Sequence, residues 1–196
     1  MGVPSRPERN VVLRGLDAAL AHKARTPGAL AFQDGDPLPG FDLANSPVRI
    51  EQLALRGRTV FQRTTAGTQG AAAAAHCRPL LCTGLATARA TAAYLRQRPD
   101  VDWHFVPTGD AGRAEEDIAC AEYIRALVAD PATPSQPFVD RARGSRAARE
   151  LAAAAANGHG GVDRGDVARC LEADSFDFAM CAAVDDGLLT LRRTAV

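Results

Sequence analysis

The sequence predicts an α/β fold, a three-layer α/β/α sandwich around a mostly parallel or mixed sheet. Short apolar runs of strand length alternate with segments of helical period through the middle of the chain. Such alternation marks a sheet covered by helices on both faces. The 196 residues suit one domain, and a 46% hydrophobic content supplies its core. Polar residues gather in the segments that follow the apolar runs, where sheets of this kind bind ligands.

Taken in order, residues 15–25 put Leu16, Ala19, Leu20 and Ala24 at a helical period. Residues 29–32 read as a short strand and 35–47 as a loop dense in Gly, Pro and Asp. A second strand, 59–62, follows the turn Arg56-Gly57-Arg58. Residues 68–77 form a weakly amphipathic helix, 79–83 a buried strand, and 86–98 a helix with Ala90, Ala93, Tyr94 and Leu95 inward. Val101, Trp103 and Phe105 alternate with Asp102 and His104, the period of a strand. After a turn at 109–112 comes the strongest helix, 114–129. Ile118, Ala121, Ile124 and Leu127 or Val128 share its apolar face, and Glu115, Glu116 and Asp117 meet the positive end of its dipole. Three prolines make 130–138 a loop. Residues 143–156 are an Arg/Ala helix, 157–165 a Gly-rich loop, 166–172 a short helix and 188–192 a last strand.

The net charge of +0 and pI of about 6.9 leave no positive field to attract nucleic acid. No run approaches the roughly 18 apolar residues of a bilayer-spanning helix. No signal peptide is visible, since residues 1–10 are polar and Arg14, Asp17 and Lys23 interrupt the first apolar stretch. The five cysteines, an odd number without CxxC spacing, read as reduced thiols of a cytoplasmic protein, most of them small buried hydrophobes.

Two segments stand out, 39–47 and 63–70. In the second, Thr64, Thr65, Gly67 and Thr68 lie between a strand and a helix, where hydroxyls and glycine amides suit an anion. The alternative is that Thr65 or Thr68 N-caps the following helix. It is not a P-loop, lacking the Gly-Lys-Ser/Thr ending. In the first, Asp42, Asn45 and Ser46 offer oxygens that suit Mg²⁺, or an Asx turn with Ser46 opening the next segment. Glu115, Glu116 and Asp117 either balance the helix dipole or send two of their carboxylates to a metal or general-acid position. His159 lies in a Gly-rich loop that either closes on a substrate or stays in solvent. His22, His76 and His104 have no partner at metal-ligand spacing.

These segments carry a family resemblance. Gly40-Phe41-Asp42-Leu43-Ala44-Asn45-Ser46-Pro47 resembles the Gly-Phe-Asp-Leu-Gly-Asn-Ser-Pro signature of the 2-phosphosulfolactate phosphatase family. Thr64-Thr65-Ala66-Gly67-Thr68 is similar to its Thr-Thr-Asn-Gly-Thr loop, and Glu116-Asp117-Ile118-Ala119-Cys120-Ala121 to its Glu-Asp-x-x-Cys-Ala helix start. His159-Gly160 and the stretch 166–174 follow its C-terminal pattern more loosely. The resemblance implies an α/β/α sandwich and Mg²⁺-dependent hydrolysis of the phosphate ester of 2-phospho-3-sulfolactate, on the route to coenzyme M. It implies phosphate contacts from Thr64, Thr65, Gly67 and Thr68, substrate contacts from Asn45, Ser46 and His159, catalysis by Asp42, Glu116 and Asp117, and Mg²⁺ on Asp42 and Asp117. The expected partner is a small phosphorylated hydroxy acid, with a second copy of the chain as a further candidate. The alternative is a module that binds such an acid without hydrolysing it. There are departures. Residues 1–196 read as one domain, truncated at its N-terminal side relative to the family, because the strand and helix bearing an Asp-x-x-Arg-Ala motif are not found. Loss of that unit would leave unpaired strand edges in mid-sheet. Gln33-Asp34 stands where Gly-Glu is usual, and Ala66 where Asn is common.

Overall fold

A computed structural model describes residues 7–36, 38–159 and 161–196. Gly160, part of the C-terminal resemblance, and residues 1–6 of the polar N-terminal stretch lie outside them.

Among the described residues, seven strands form one mixed sheet in the order β3-β2-β4-β1-β7-β6-β5. Four of them are parallel: β1 (Arg9–Val12), β2 (Leu30–Gln33), β3 (Leu43–Ala44) and β4 (Thr59–Arg63). β6 (Phe178–Asp185) and β7 (Leu188–Ala195) form a long hairpin in which β7 runs antiparallel to β1, and β5 (Leu80–Leu81), antiparallel to β6, closes the far edge. β1 lies mid-sheet, with Val11 opposite Phe61 of β4 on one side and Thr190 of β7 on the other. The unpaired central edge expected from the sequence is therefore absent among the described strands.

Successive residues of a strand point to opposite faces, and β1 shows what covers each. Val11 packs with Ala31, Phe61 and Ala19, the last on α1 (Leu16–Arg25). Val12 packs on the other face with Ala182, Leu189 and Ala71, the last on α3 (Gly67–Ala73). Beside α3, Leu30, Phe32 and Val60 meet Leu55 and the segment around α2 (Pro47–Ile50). The largest apolar cluster joins α4 (Ala88–Arg96), α5 (Glu115–Ala129) and α6 (Gln136–Arg143) around the fully buried Tyr123, Ile124 and Leu127. The chain adds α7 (Arg146–Ala156) and α8 (Asp166–Cys170) before returning to the sheet. No helix among the described residues is long and apolar enough to cross a membrane. All five cysteines carry free thiols, although Cys120 alone is buried and Cys82 and Cys181 are half-buried.

Several expectations are corrected. Residues 101–105 form no strand; they run irregularly along the α4–α5 layer, with Trp103 packed against its cluster and Tyr94 edge-on to it at 6.1 Å. Residues 136–138, read as the end of a loop, instead open α6, which runs to Arg143, with Pro137 in the first turn where no intrahelical N–H is needed. The sequence reading also missed β1, β3, α2 and β6.

Candidate functional site

The parallel strands β1, β2 and β4 send their C-terminal loops to one end of the sheet, the region where open α/β sheets hold ligands. After β4, Thr64 and Thr68 lock each other. The amide of Thr64 donates to Thr68 Oγ1 at 2.9 Å, and the amide of Thr68 donates to Thr64 Oγ1 at 2.9 Å. Thr64 Oγ1 thus receives an amide of the first turn of α3, whereas the N-cap position is Ala66 and neither Thr65 nor Thr68 caps the helix through its side chain, against the expectation. Gln69 ties the loop to the end of β1, donating from Nε2 to the carbonyl of Arg14 at 2.9 Å. Gly67 and Thr65 stand exposed at the tip.

Asp34, at the end of β2, is the carboxylate that meets this loop. Its Oδ2 accepts from the amide and the hydroxyl of Thr65, both at 2.7 Å, and its Oδ1 lies 3.3 Å from Nη1 of Arg63. Asp42, expected beside the loop, is engaged elsewhere. Its Oδ2 accepts from the amide of Ala31 at 2.7 Å and pairs with Nζ of Lys23 at 2.8 Å, further back along β2 and on the α1 side. Sequence reasoning passed over Asp34 because it opens a stretch of Gly, Asp and Pro that reads as turn chemistry. Two usable signals were its place directly after a buried strand and its standing where the resembled family usually has Gly-Glu.

Two further loops approach the same end. Thr108 abuts α3, since a Cβ on Gly70 would collide with its methyl group. Asp117 fixes that approach, accepting from the amides of Thr108 at 2.9 Å and Gly109 at 2.8 Å through Oδ2. Glu116 Oε1 lies beside Gly109. Glu115 turns away, accepting from the amide of Arg146 on α7 at 3.1 Å. The three adjacent carboxylates thus divide as helical spacing demands. Between Gly109 and α5, Asp110, Ala111 and Gly112 take φ values of 47°, 52° and 87° in succession, left-handed backbone that strains the two non-glycines. From the C-terminal side, Gly161 presses on the carbonyl of Gly35, just past Asp34, and leaves no room for a Cβ. His159 is exposed in the same loop.

Asn45 and Ser46 have structural partners. Asn45 Oδ1 accepts from Nε2 of Gln62 at 3.1 Å. Ser46, 1% exposed, caps α2 by accepting from the amide of Arg49 and donates to Asp166 Oδ1 at 2.8 Å. Asp166, 2% exposed, also accepts from the amides of Val48 and Asp163. That buried carboxylate pins the segment after β3 to α8.

Among the described residues no three His, Cys, Asp or Glu side chains converge as a metal cage. A Mg²⁺ ion needs only one or two protein carboxylates, with water and phosphate completing its shell, and Glu116 and Asp117 are the carboxylates that reach Gly109 at this end of the sheet. Cys120, one turn into α5, is no nucleophile: burial pushes its thiol up to about 12, with Asp117 and Asp174 adding to the rise.

Comparison with known proteins covers this whole arrangement. The model of the 2-phosphosulpholactate phosphatase family matches residues 11–186. The chain is 25% identical over 189 residues to the probable 2-phosphosulfolactate phosphatase of Bacillus subtilis, covering 95% of this chain and 82% of that protein. It is 33% identical over 126 residues to the protein of the same name from Carboxydothermus hydrogenoformans, and 34% over 125 residues to that from Deinococcus radiodurans. In these two the match spans about half of the relative, 52% in each. Running from β1 to the turn between β6 and β7, the family match takes in every loop that meets at the end of the parallel strands, and the chain belongs to the 2-phosphosulpholactate phosphatase family.

Proposed function

We propose that the chain is a Mg²⁺-dependent phosphatase acting on the phosphate monoester of a small 2-hydroxy acid of the 2-phosphosulfolactate type. The observation that carries the reading is the knot of Asp34, Thr65 and Arg63 at the strand ends. It holds a cationic fork and an exposed Thr/Gly loop in one place, as recognition of a phosphoryl group requires. The names of the relatives supply the substrate class.

In this reading Arg63 and the backbone amides at the Ala66–Gly67 tip hold the phosphoryl oxygens, and Asp34 keeps both in position. Asp117 would hold the Mg²⁺, which when bound would neutralise charge on the phosphoryl group. Water forms the new bond to phosphorus as the ester P–O bond breaks; the departing alkoxide oxygen takes up one proton, and of the water's two protons one stays on the phosphate and the other restores the donor. Glu116, beside Gly109, is the carboxyl assigned as that donor. The strained turn at 110–112 and the exposed His159 loop border the entrance.

One observation favours a second reading, a module that binds the acid without turning it over. The hydroxyls of Thr64, Thr65 and Thr68 all have partners inside the protein, so a ligand meets fewer preorganised donors than the bare sequence offers. Phosphate release from 2-phosphosulfolactate and 2-phospholactate, measured with Mg²⁺ and with a chelator, separates the two. Mg²⁺-dependent release is expected. Ligand-induced thermal stabilisation without release supports the binder, and neither signal overturns both.

A further inference from the structure

The alternating segment at 101–105 leaves a pattern that the site does not use. Of eight exposed large hydrophobic side chains among the described residues, four gather here: Val101, Phe105, Val106 and Val128. Val106 is the most exposed of all at 70%. Monomeric surfaces scatter such residues singly, and a cluster marks an interaction site. Val101, Trp103, Phe105 and Val128 line a concave groove of about 450 Å³ between the ends of α4 and α5.

The charged wall of this groove has one sign. Arg96, Arg98 and Arg125 line it and no acidic side chain does, in a chain whose net charge is +0. Two of the three are fixed by the helix ends. Arg96 donates to the carbonyl of Leu127 at 2.7 Å, and Arg98 lies 3.6 Å over the ring of Tyr94 while donating to that residue's carbonyl. Arg125 is exposed on α5. The groove also holds an unmet donor. Nε1 of Trp103 is buried and has no hydrogen-bond partner among the described residues, although indole N–H groups are normally paired when buried.

We propose that this groove docks a short acidic segment of a partner protein, one that carries Asp or Glu beside a Leu or Phe side chain. The apolar side chain fills the groove over Trp103 and Phe105, and the carboxylates meet Arg96, Arg98 and Arg125. Exposed Val106 carries the apolar surface beyond the cavity, which favours an extended partner over a small molecule. The concave form and the indole donor in its wall favour a peptide over a flat lipid surface.

The chain's single tryptophan is Trp103, so intrinsic emission reports on this groove alone. The test is a displayed library of random peptides panned on the whole chain. Selected peptides are then titrated against wild type and Arg125→Glu while tryptophan emission is followed. Arg125 is exposed, so the variant keeps its thermal midpoint. Enriched peptides rich in Asp, Glu, Leu and Phe, a shift of emission on binding, and affinity at least about tenfold lower in the variant are expected. Absence of enrichment, enrichment of basic sequences, or equal affinity for Arg125→Glu overturns the proposal. A shift produced by phosphatidylserine vesicles without any selected peptide overturns it in favour of a membrane surface. Concentration-dependent self-association lost in the variant overturns it in favour of a second copy. None of these outcomes depends on phosphatase activity.

Discussion

Asp34 accepts two bonds from Thr65 and one contact from Arg63, so removing its carboxylate frees a loop and a guanidinium together. Asp34→Ala is expected to lower kcat/KM by on the order of 10²-fold, the usual cost of a misplaced catalytic loop, while Asp34→Glu retains a measurable fraction. Steady-state phosphate release checks both, and equal activity in all three proteins removes Asp34 from the site. Ser46 is a different case, because its hydroxyl is buried at a helix cap and against Asp166. Ser46→Ala removes the cap and one donor to a buried carboxylate, a loss of about 2–3 kcal/mol in denaturant unfolding. A loss below roughly 0.5 kcal/mol would mean that water replaces the hydroxyl. The two residues sat side by side with other polar groups in the sequence, and only their partners tell positioning from capping. Asp42 illustrates the converse. Its signature neighbours made it prominent, yet its carboxylate is occupied by Lys23 and the amide of Ala31.

At the scale of elements, the contact between α3 and the loop before α5 is tight enough to probe. Gly70→Ala drives a methyl group into Thr108 and is expected to cost about 1–3 kcal/mol, the range for overpacking. Thr108→Ser removes the opposing methyl, so the double variant recovers much of the loss in denaturant unfolding. Additive effects would show that the two elements do not bear on each other. α5 was legible almost to the residue, read at 114–129 and found at Glu115–Ala129, because its acidic first turn and helical period agree. Its buried face was misjudged in part. Cys120, Ile124 and Leu127 are buried as expected, but Ile118 and Ala121 are only half-buried and Tyr123 turns fully inward, since its hydroxyl finds Asp174 at 2.6 Å and Arg89 at 3.0 Å. β6 escaped notice because its sequence, Phe-Ala-Met-Cys-Ala-Ala-Val-Asp, is poor in β-branched residues. Pairing along all eight residues with β7 makes it a strand regardless. The 101–105 segment failed the other way, alternating in sequence without a neighbouring strand to pair with.

For the whole molecule, the helical layer sets a limit at high pH. Burial raises Cys120 to about 12, and burial with the bond to Asp174 raises Tyr123 to about 12. The ordinary values of the free groups are 9.0 and 10.0. Both groups therefore hold their protons when folded at pH values where the unfolded chain has lost them. Their contribution is fully present below pH 9.0, begins to fade above it and is gone by about 12. Thermal midpoints are expected to fall steadily above pH 9.0, and Tyr123→Phe reduces the slope above 10.0. A flat profile across this range would contradict the burial of both groups. Below it, thiol reagents are expected to label exposed Cys77 and spare Cys120.

The placement of β1 against β7 has a consequence for how the protein comes into being. Asn10 faces Leu191 across the middle of the sheet, so the central ladder is also the longest loop to close. A ribosome must release the residues of β7 before β1 gains its second neighbour. Until then the nascent chain exposes the Val11–Val12 backbone on one side, an invitation to wrong pairing. Domains dominated by such distant contacts fold slowly. The sealing of this sheet therefore waits for residues 188–195, and a chain stopped short of residue 188 would lack the strand that seals its centre.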